Sequence, residues 1–214
     1  MQALFVHGMG RSPLSGWPLL WQLKRAGLKT STYGYSVSLE DFAGIKARLV
    51  STISALAELG DYVLIGHSLG GVLLRAAVNG LPPGVRSPHH VFLLGSPLQP
   101  TLLAQRLGTN PIYRTLTRDC GQLLGSVTRM AEIGPVSAPT TGIAGVRGLS
   151  GKRSPFSGEL NDGVVSISEV SAEWLTDQVR VPSVHTLLPS SKRVGDIILE
   201  RVARHDEKGG RFIS

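Results

Sequence analysis

Ser68 stands in Gly66-His67-Ser68-Leu69-Gly70-Gly71, a Gly-x-Ser-x-Gly stretch that offers a hydroxyl nucleophile. A serine hydroxyl attacks a carbonyl carbon only when a neighbouring base takes its proton, and that base must be oriented by an acid. Two downstream residues meet those needs. Asp162, in the turn Asn161-Asp162-Gly163, and His185, just past the last predicted strand, each occupy a loop that follows a strand. The other histidines fit less well: His7 and His67 flank turns and read as structural, His89 and His90 precede a strand, and His205 lies in a polar tail. Glu159 and Asp177 are the alternative acids. Acyl transfer also needs donors aimed at a developing oxyanion. The N–H of Leu69, first after the nucleophile at a helix start, is one candidate; that of Met9, in the Gly-rich turn His7-Gly8-Met9-Gly10, is the other.

The elements that must position these residues are legible around them. Tyr62-Val63-Leu64-Ile65 has the make-up of a buried strand, and residues 72–78 lack Gly and Pro and read as a helix, so Ser68 is expected on a strand-turn-helix elbow. Residues 3–6 form a first strand, 17–26 a short helix stopped by Gly27, and 28–33 a second strand. Ser38-x-x-Asp41 reads as a capping box opening a long helix, with Leu39, Phe42, Ile45, Leu49, Ile53, Leu56 and Leu59 at helical spacing. A fourth strand at 91–94 ends on Gly95-Ser96-Pro97, and the alternation predicts parallel βαβ units with helices on both faces. Residues 98–139 break the alternation with leucines at helical spacing and no strand, which predicts an inserted helical cap. The sheet resumes at 142–146, followed by a flexible loop at 148–158, a last strand at 178–181, and a closing helix at 192–202. A single domain over 1–204 with a polar tail over 205–214 follows.

Apolar content of 42% with 17% charged residues is a globular composition, and no uncharged apolar run reaches the length of a membrane span. Met1-Gln2 leads directly into a strand, so no secretory leader is read here. The single Cys120 allows no internal disulfide and suits a reducing, cytoplasmic setting. The net charge of +7 is uneven: eight basic residues against Asp119 and Glu132 between Arg86 and Arg153 give 8 − 2 = +6. These basic residues are spread singly, without interleaved aromatics, which argues against a nucleic-acid partner. The charge reads first as a solvated surface, with peripheral contact to an anionic lipid surface as the partner it could serve.

Leu4-Phe5-Val6-His7-Gly8-Met9-Gly10, Ile65-Gly66-His67-Ser68-Leu69-Gly70-Gly71, Gly142-Ile143-Ala144-Gly145, Asn161-Asp162-Gly163-Val164-Val165 and His185 together resemble bacterial lipases and esterases of the α/β-hydrolase superfamily, especially its compact members. The resemblance covers roughly residues 4–203, and the insert matches only in placement. It implies an α/β-hydrolase fold with a trimmed, mostly parallel sheet of about six strands flanked by helices. It also implies Ser68 as nucleophile, Asp162 as acid, His185 as base, and the N–H groups of Met9 and Leu69 as oxyanion hole, with no cofactor or metal. The sequence departs from the family in starting at what is usually the third strand. It also has Leu98-Gln99-Pro100 where lipases often carry His and Gly, which leaves the substrate class open.

The expected activity is serine carboxylic-ester hydrolysis, as an esterase or lipase acting on a small-molecule ester or lipid. A thioesterase or acyltransferase would use the same triad, and a non-catalytic binding module could use the same fold. Leucine and methionine at helical spacing in the insert read as packing before they read as an acyl pocket.

Overall fold

Strand β1 (Gln2–Val6) turns Ala3 and Phe5 toward one side and Leu4 and Val6 toward the other, and all four are buried. A strand covered on both faces belongs in a parallel sheet between two helical layers. The computed structural model, which describes residues 1–151 and 154–209, builds that sheet from β1, β2 (Lys29–Tyr33), β3 (Tyr62–His67), β4 (His90–Leu94), β5 (Thr140–Gly145) and β6 (Asp177–Val181). Their spatial order is β2-β1-β3-β4-β5-β6, and every neighbouring pair is parallel. The order reverses between β1 and β3. At such a switch the loops leaving adjacent strands part and open a crevice at the carboxyl ends. The loops in question are His7-Gly8-Met9 and the Ser68 turn.

Helices α1 (Trp17–Arg25) and α7 (Lys192–Gly209) cover one face, with Leu19, Leu23, Ile197 and Ile198 packed on Phe5, Ile65 and Phe92. Helices α2 (Phe42–Glu58) and α3 (Leu69–Val78) cover the other through Ile45, Leu49, Ile53, Val72 and Leu73. Asp41, not Ser38, caps α2: its carboxylate accepts the Gly44 N–H at 2.8 Å. Ser38 Oγ instead donates to the Leu116 carbonyl at 2.8 Å, drawn to the insert. Leu39, before the cap, and Leu59, after the last turn, fall outside the helix and are exposed, because the buried stripe runs only from Ile45 to Ala57.

The insert between β4 and β5 is helical, as the sequence predicts: α4 (Leu102–Leu107), α5 (Pro111–Gly125) and α6 (Val127–Ile133). α5 is kinked at Arg118, whose φ is 45°. Leu98, Leu123, Leu124 and Met130 are buried against the core, whereas Val127 is exposed. The closing helix is longer than expected; the polar tail assigned from His205 begins within α7, and residues 210–214 lie outside the described ones. So do Lys152 and Arg153, which the sequence places in the flexible loop and counts in the basic stretch. Among the described residues no helix is long and apolar enough to cross a membrane.

Candidate active site

β3 ends at His67 and α3 begins at Leu69, so Ser68 alone turns the chain, with φ 53° and ψ −125°. A non-glycine residue in that region costs on the order of 1–3 kcal/mol and persists only where its surroundings impose it. Here they do. The Ser68 N–H donates to the Leu94 carbonyl at 2.9 Å, and the Ser68 carbonyl accepts the Gly71 N–H at 3.0 Å. A Cβ on Gly70 would lie 2.2 Å from the Val6 carbonyl oxygen and 2.5 Å from that of His7, so α3 can press on β1 only because that position lacks a side chain.

The expected acid and base, Asp162 and His185, come from the loops after β5 and β6. Asp162 is buried; one carboxylate oxygen accepts the N–H groups of Val164 (3.0 Å) and Val165 (2.9 Å), and the other accepts His185 Nδ1–H at 2.6 Å. The His185 N–H also donates to the Asp162 carbonyl at 2.9 Å, so backbone and side chain hold the pair together. With Nδ1 committed as donor, Nε2 carries the free lone pair.

His67 packs against His185. Its Nε2–H donates to the His185 carbonyl at 3.0 Å, and the two rings lie 4.8 Å apart. Burial, followed by the nearby His185, pushes the His67 pKa down to about 3, so it is neutral near pH 7. A Cβ on Gly95 would stand 3.0 Å from both His185 Nδ1 and Asp162 Oδ2. Gly95 follows Leu94, whose carbonyl holds Ser68, so the elbow, His185 and Asp162 converge over the ends of β3 and β4. Among the described residues no hydrogen bond joins Ser68 Oγ to the His185 ring; in sites of this kind that bond often tightens only around substrate.

The loop after β1 closes the other side. The His7 ring stacks on Tyr35 with centroids 4.3 Å apart, donates from Nδ1 to the Gly8 carbonyl at 2.9 Å, and accepts the Tyr35 N–H on Nε2 at 3.4 Å. Tyr35 OH donates to the His7 carbonyl at 2.8 Å. Burial lowers the His7 pKa, in keeping with a neutral ring that donates at one nitrogen and accepts at the other. A Cβ on Gly8 would lie 3.1 Å from Ser68 Cβ, so this loop sits against the elbow. The N–H groups of Met9 and Leu69 donate to no backbone carbonyl outside regular elements among the described residues.

The alternative acids are occupied elsewhere. Glu159 accepts from Ser168 Oγ at 2.9 Å, and Asp177 pairs with Arg201 at 2.7 Å. His90 Nε2 lies 2.8 Å from Thr141 Oγ1, within the sheet. Two contributors were not singled out from the sequence. Asn161 accepts the N–H groups of Leu149 and Gly163 and donates to the carbonyls of Leu149 and Glu159, fastening the Asp162 loop; its place in Asn-Asp-Gly was the available signal. Tyr35 had no local signal at all, because its contact with His7 spans 28 positions.

A cavity of about 250 Å³ borders the pair, lined by Arg147, Leu149, Asp162, Val164, His185 and Thr186 among others. Among the described residues no group of His, Cys, Asp or Glu is arranged to hold a metal ion.

No family model matches the chain, and no curated protein matches it in sequence. Solved structures do match in fold. A metagenomic carboxyl esterase superposes with a TM-score of 0.71 at 16% identity, over 98% of this chain and 76% of that one. A thioesterase of the prodiginine biosynthetic pathway in Streptomyces coelicolor gives 0.61 at 16% identity, over 96% and 90%. A methylesterase from Arabidopsis gives 0.62 at 15% identity, over 95% and 99%. Likeness at such low identity speaks to architecture, and together with the parallel sheet and its elbow it shows that this chain has the α/β-hydrolase fold.

Proposed function

We propose that the protein is a serine hydrolase of carboxylic esters that works through an acyl-enzyme. The observation that carries this reading is the 2.6 Å bond between His185 Nδ1 and Asp162 Oδ2, set beside a serine on a strained elbow. In the reaction, Ser68 Oγ attacks the ester carbonyl carbon while His185 Nε2 takes its proton. The carbonyl electrons move onto oxygen, and the N–H groups of Met9 and Leu69 stabilise that oxyanion. Collapse breaks the bond to the alcohol oxygen, which departs with the proton from Nε2. Water then attacks the acyl carbon, gives a proton to Nε2, and the carboxylic acid leaves as Ser68 regains its hydrogen. Asp162 stays ionised throughout, fixing the tautomer and stabilising the imidazolium.

A fluorophosphonate probe tests the assignment. Wild type should be labelled and Ser68→Ala should not; a wild type that resists labelling would overturn it. Initial rates on short and long p-nitrophenyl esters then separate esterase from lipase, since activity confined to short chains removes the lipase version.

Likeness to a thioesterase supports a second reading in which a thiol replaces the alcohol as leaving group. Matched oxygen-ester and thioester substrates with one acyl chain decide it: a higher kcat/KM for the thioester favours the second reading. Product analysis with competing alcohols reveals whether an acyl group is passed to an acceptor other than water.

A further inference from the structure

One face beside the site has no use in the chemistry above. Along α1, Leu19, Leu20 and Leu23 are buried, while Trp17 and Trp21 are 62% and 50% exposed. Trp17, Trp21 and Arg25 stand four residues apart on one ridge, and the Arg25 guanidinium lies over the Trp21 ring at 4.7 Å from its centroid. Leu14, in the 3-10 turn before α1, is 77% exposed, and Leu187, in the 3-10 turn that opens with His185, is 55% exposed. Between α1 and the start of α7 runs an apolar cavity of about 550 Å³ lined by Trp17, Pro18, Trp21, Gln22, Arg25 and Lys192 among others.

The rim of this face is basic. Residues 1–39 contain Arg11, Lys24, Arg25 and Lys29 and no acidic residue. Arg11 reaches the Thr186 carbonyl at 3.4 Å, and Lys192 stands at the cavity edge, bonded to Asp196, the one carboxylate there that Gln22 also contacts. Exposed tryptophans and leucines ringed by Arg and Lys match the boundary between acyl chains and anionic headgroups, where indole rings settle and basic side chains meet phosphates. A second copy of the chain fits poorly, because a two-fold contact through this face would set the basic rim of one copy, with Arg11 and Arg25, against the basic rim of the other.

We propose that the face formed by Leu14, Trp17, Trp21 and Leu187, with Arg11, Arg25 and Lys192 at its rim, docks the protein on an anionic phospholipid surface. The docked face adjoins both catalytic loops: Arg11 lies two residues beyond Met9, and Leu187 two beyond His185. Docking would hold the substrate crevice close to the lipid.

The test is co-sedimentation with vesicles of phosphatidylcholine alone or with one-third phosphatidylglycerol, together with tryptophan emission, two of the three tryptophans being on this face. Wild type should bind the anionic vesicles with a blue shift, and binding should weaken as salt rises. The Trp17→Ala/Trp21→Ala double variant should lose binding by on the order of tenfold or more. Arg25→Gln, an exposed change that removes the charge over Trp21 but leaves the core intact, should weaken it about fivefold. Ser68→Ala should bind like wild type, which keeps this result separate from the fate of the hydrolase reading. Absence of binding, equal binding to neutral vesicles, or binding indifferent to the tryptophan pair would overturn the proposal. So would a concentration-dependent dimer abolished by the double variant, or capture of an acidic protein in place of lipid.

Discussion

The loops after β5 and β6 and the helical insert between β4 and β5 are held in different ways. Asp162 and His185 are joined by paired backbone and side-chain bonds, and Asn161 spends its whole amide on the same loop. The insert is seated by Leu123, Leu124, Met130 and Ile133 in the core and pinned to the rest by separate side-chain hydrogen bonds. Buried Arg75 donates twice to the Gly134 carbonyl and once to that of Pro97, and lies over the Trp174 ring at 5.4 Å. Asn79 donates to the carbonyls of Ile133 and Pro135, and Asp119 bridges the Phe42 N–H and Arg129. A dense local network fixes geometry at the Asp162–His185 pair; apolar packing and scattered staples fix only where a whole segment sits. The first should govern turnover and the second stability and substrate range.

The sharpest break of this contrast is Asp162→Asn. It keeps the size and the fold but permits the wrong imidazole tautomer, so kcat should fall by about 10⁴ with an unchanged unfolding midpoint, measured by ester hydrolysis and urea denaturation. Arg75→Met should act in the opposite sense. It leaves two carbonyls without their donors and should cost about 2–4 kcal/mol of stability, while kcat on p-nitrophenyl acetate stays within about twofold. Equal losses of both quantities in either variant would erase the distinction.

A smaller effect concerns pH. His67 takes up a proton at pH 6.5 when unfolded but only near pH about 3 when folded, because burial disfavours the charged ring. The unfolded chain therefore binds more protons in between, and stability should decline as pH falls from 6.5 toward 3, by at most about 1.4 kcal/mol per unit. His7 contributes with the same sign. His67→Gln retains an N–H donor and cannot titrate, so urea midpoints compared at pH 7.5 and pH 4.5 should differ less than in wild type. Smallest of all, Tyr35→Phe removes only the donor to the His7 carbonyl and should lower kcat by about tenfold or less, with the ring stack and the fold intact.

Much of this arrangement is written in local sequence. The elbow is, because a buried strand, a Gly-rich turn and a helix follow one another within residues 62–78. The meeting of Asp162 and His185 is in part, because His185 sits just past β6 and Asp162 in the Asn-Asp-Gly turn of the long loop after β5. What local pattern could not supply were contacts made between distant segments. Ser38 carries the signature of a helix cap yet is taken by Leu116, 78 positions away, and Tyr35 meets His7 only after β2 is laid beside β1. Arg75 reads as one more polar residue on a helix, and its burial depends on where the insert returns to the sheet at Gly134.

The backbone torsion of Ser68 has a last consequence. Its φ of 53° with ψ of −125° is one that a residue without a side chain would occupy freely. Serine is thus a poor tenant of its own position, and on the proposed reading its hydroxyl is the reason it stands there. Ser68→Gly should melt about 2–4 °C higher than wild type and turn over nothing, setting reactivity and robustness against each other at one residue.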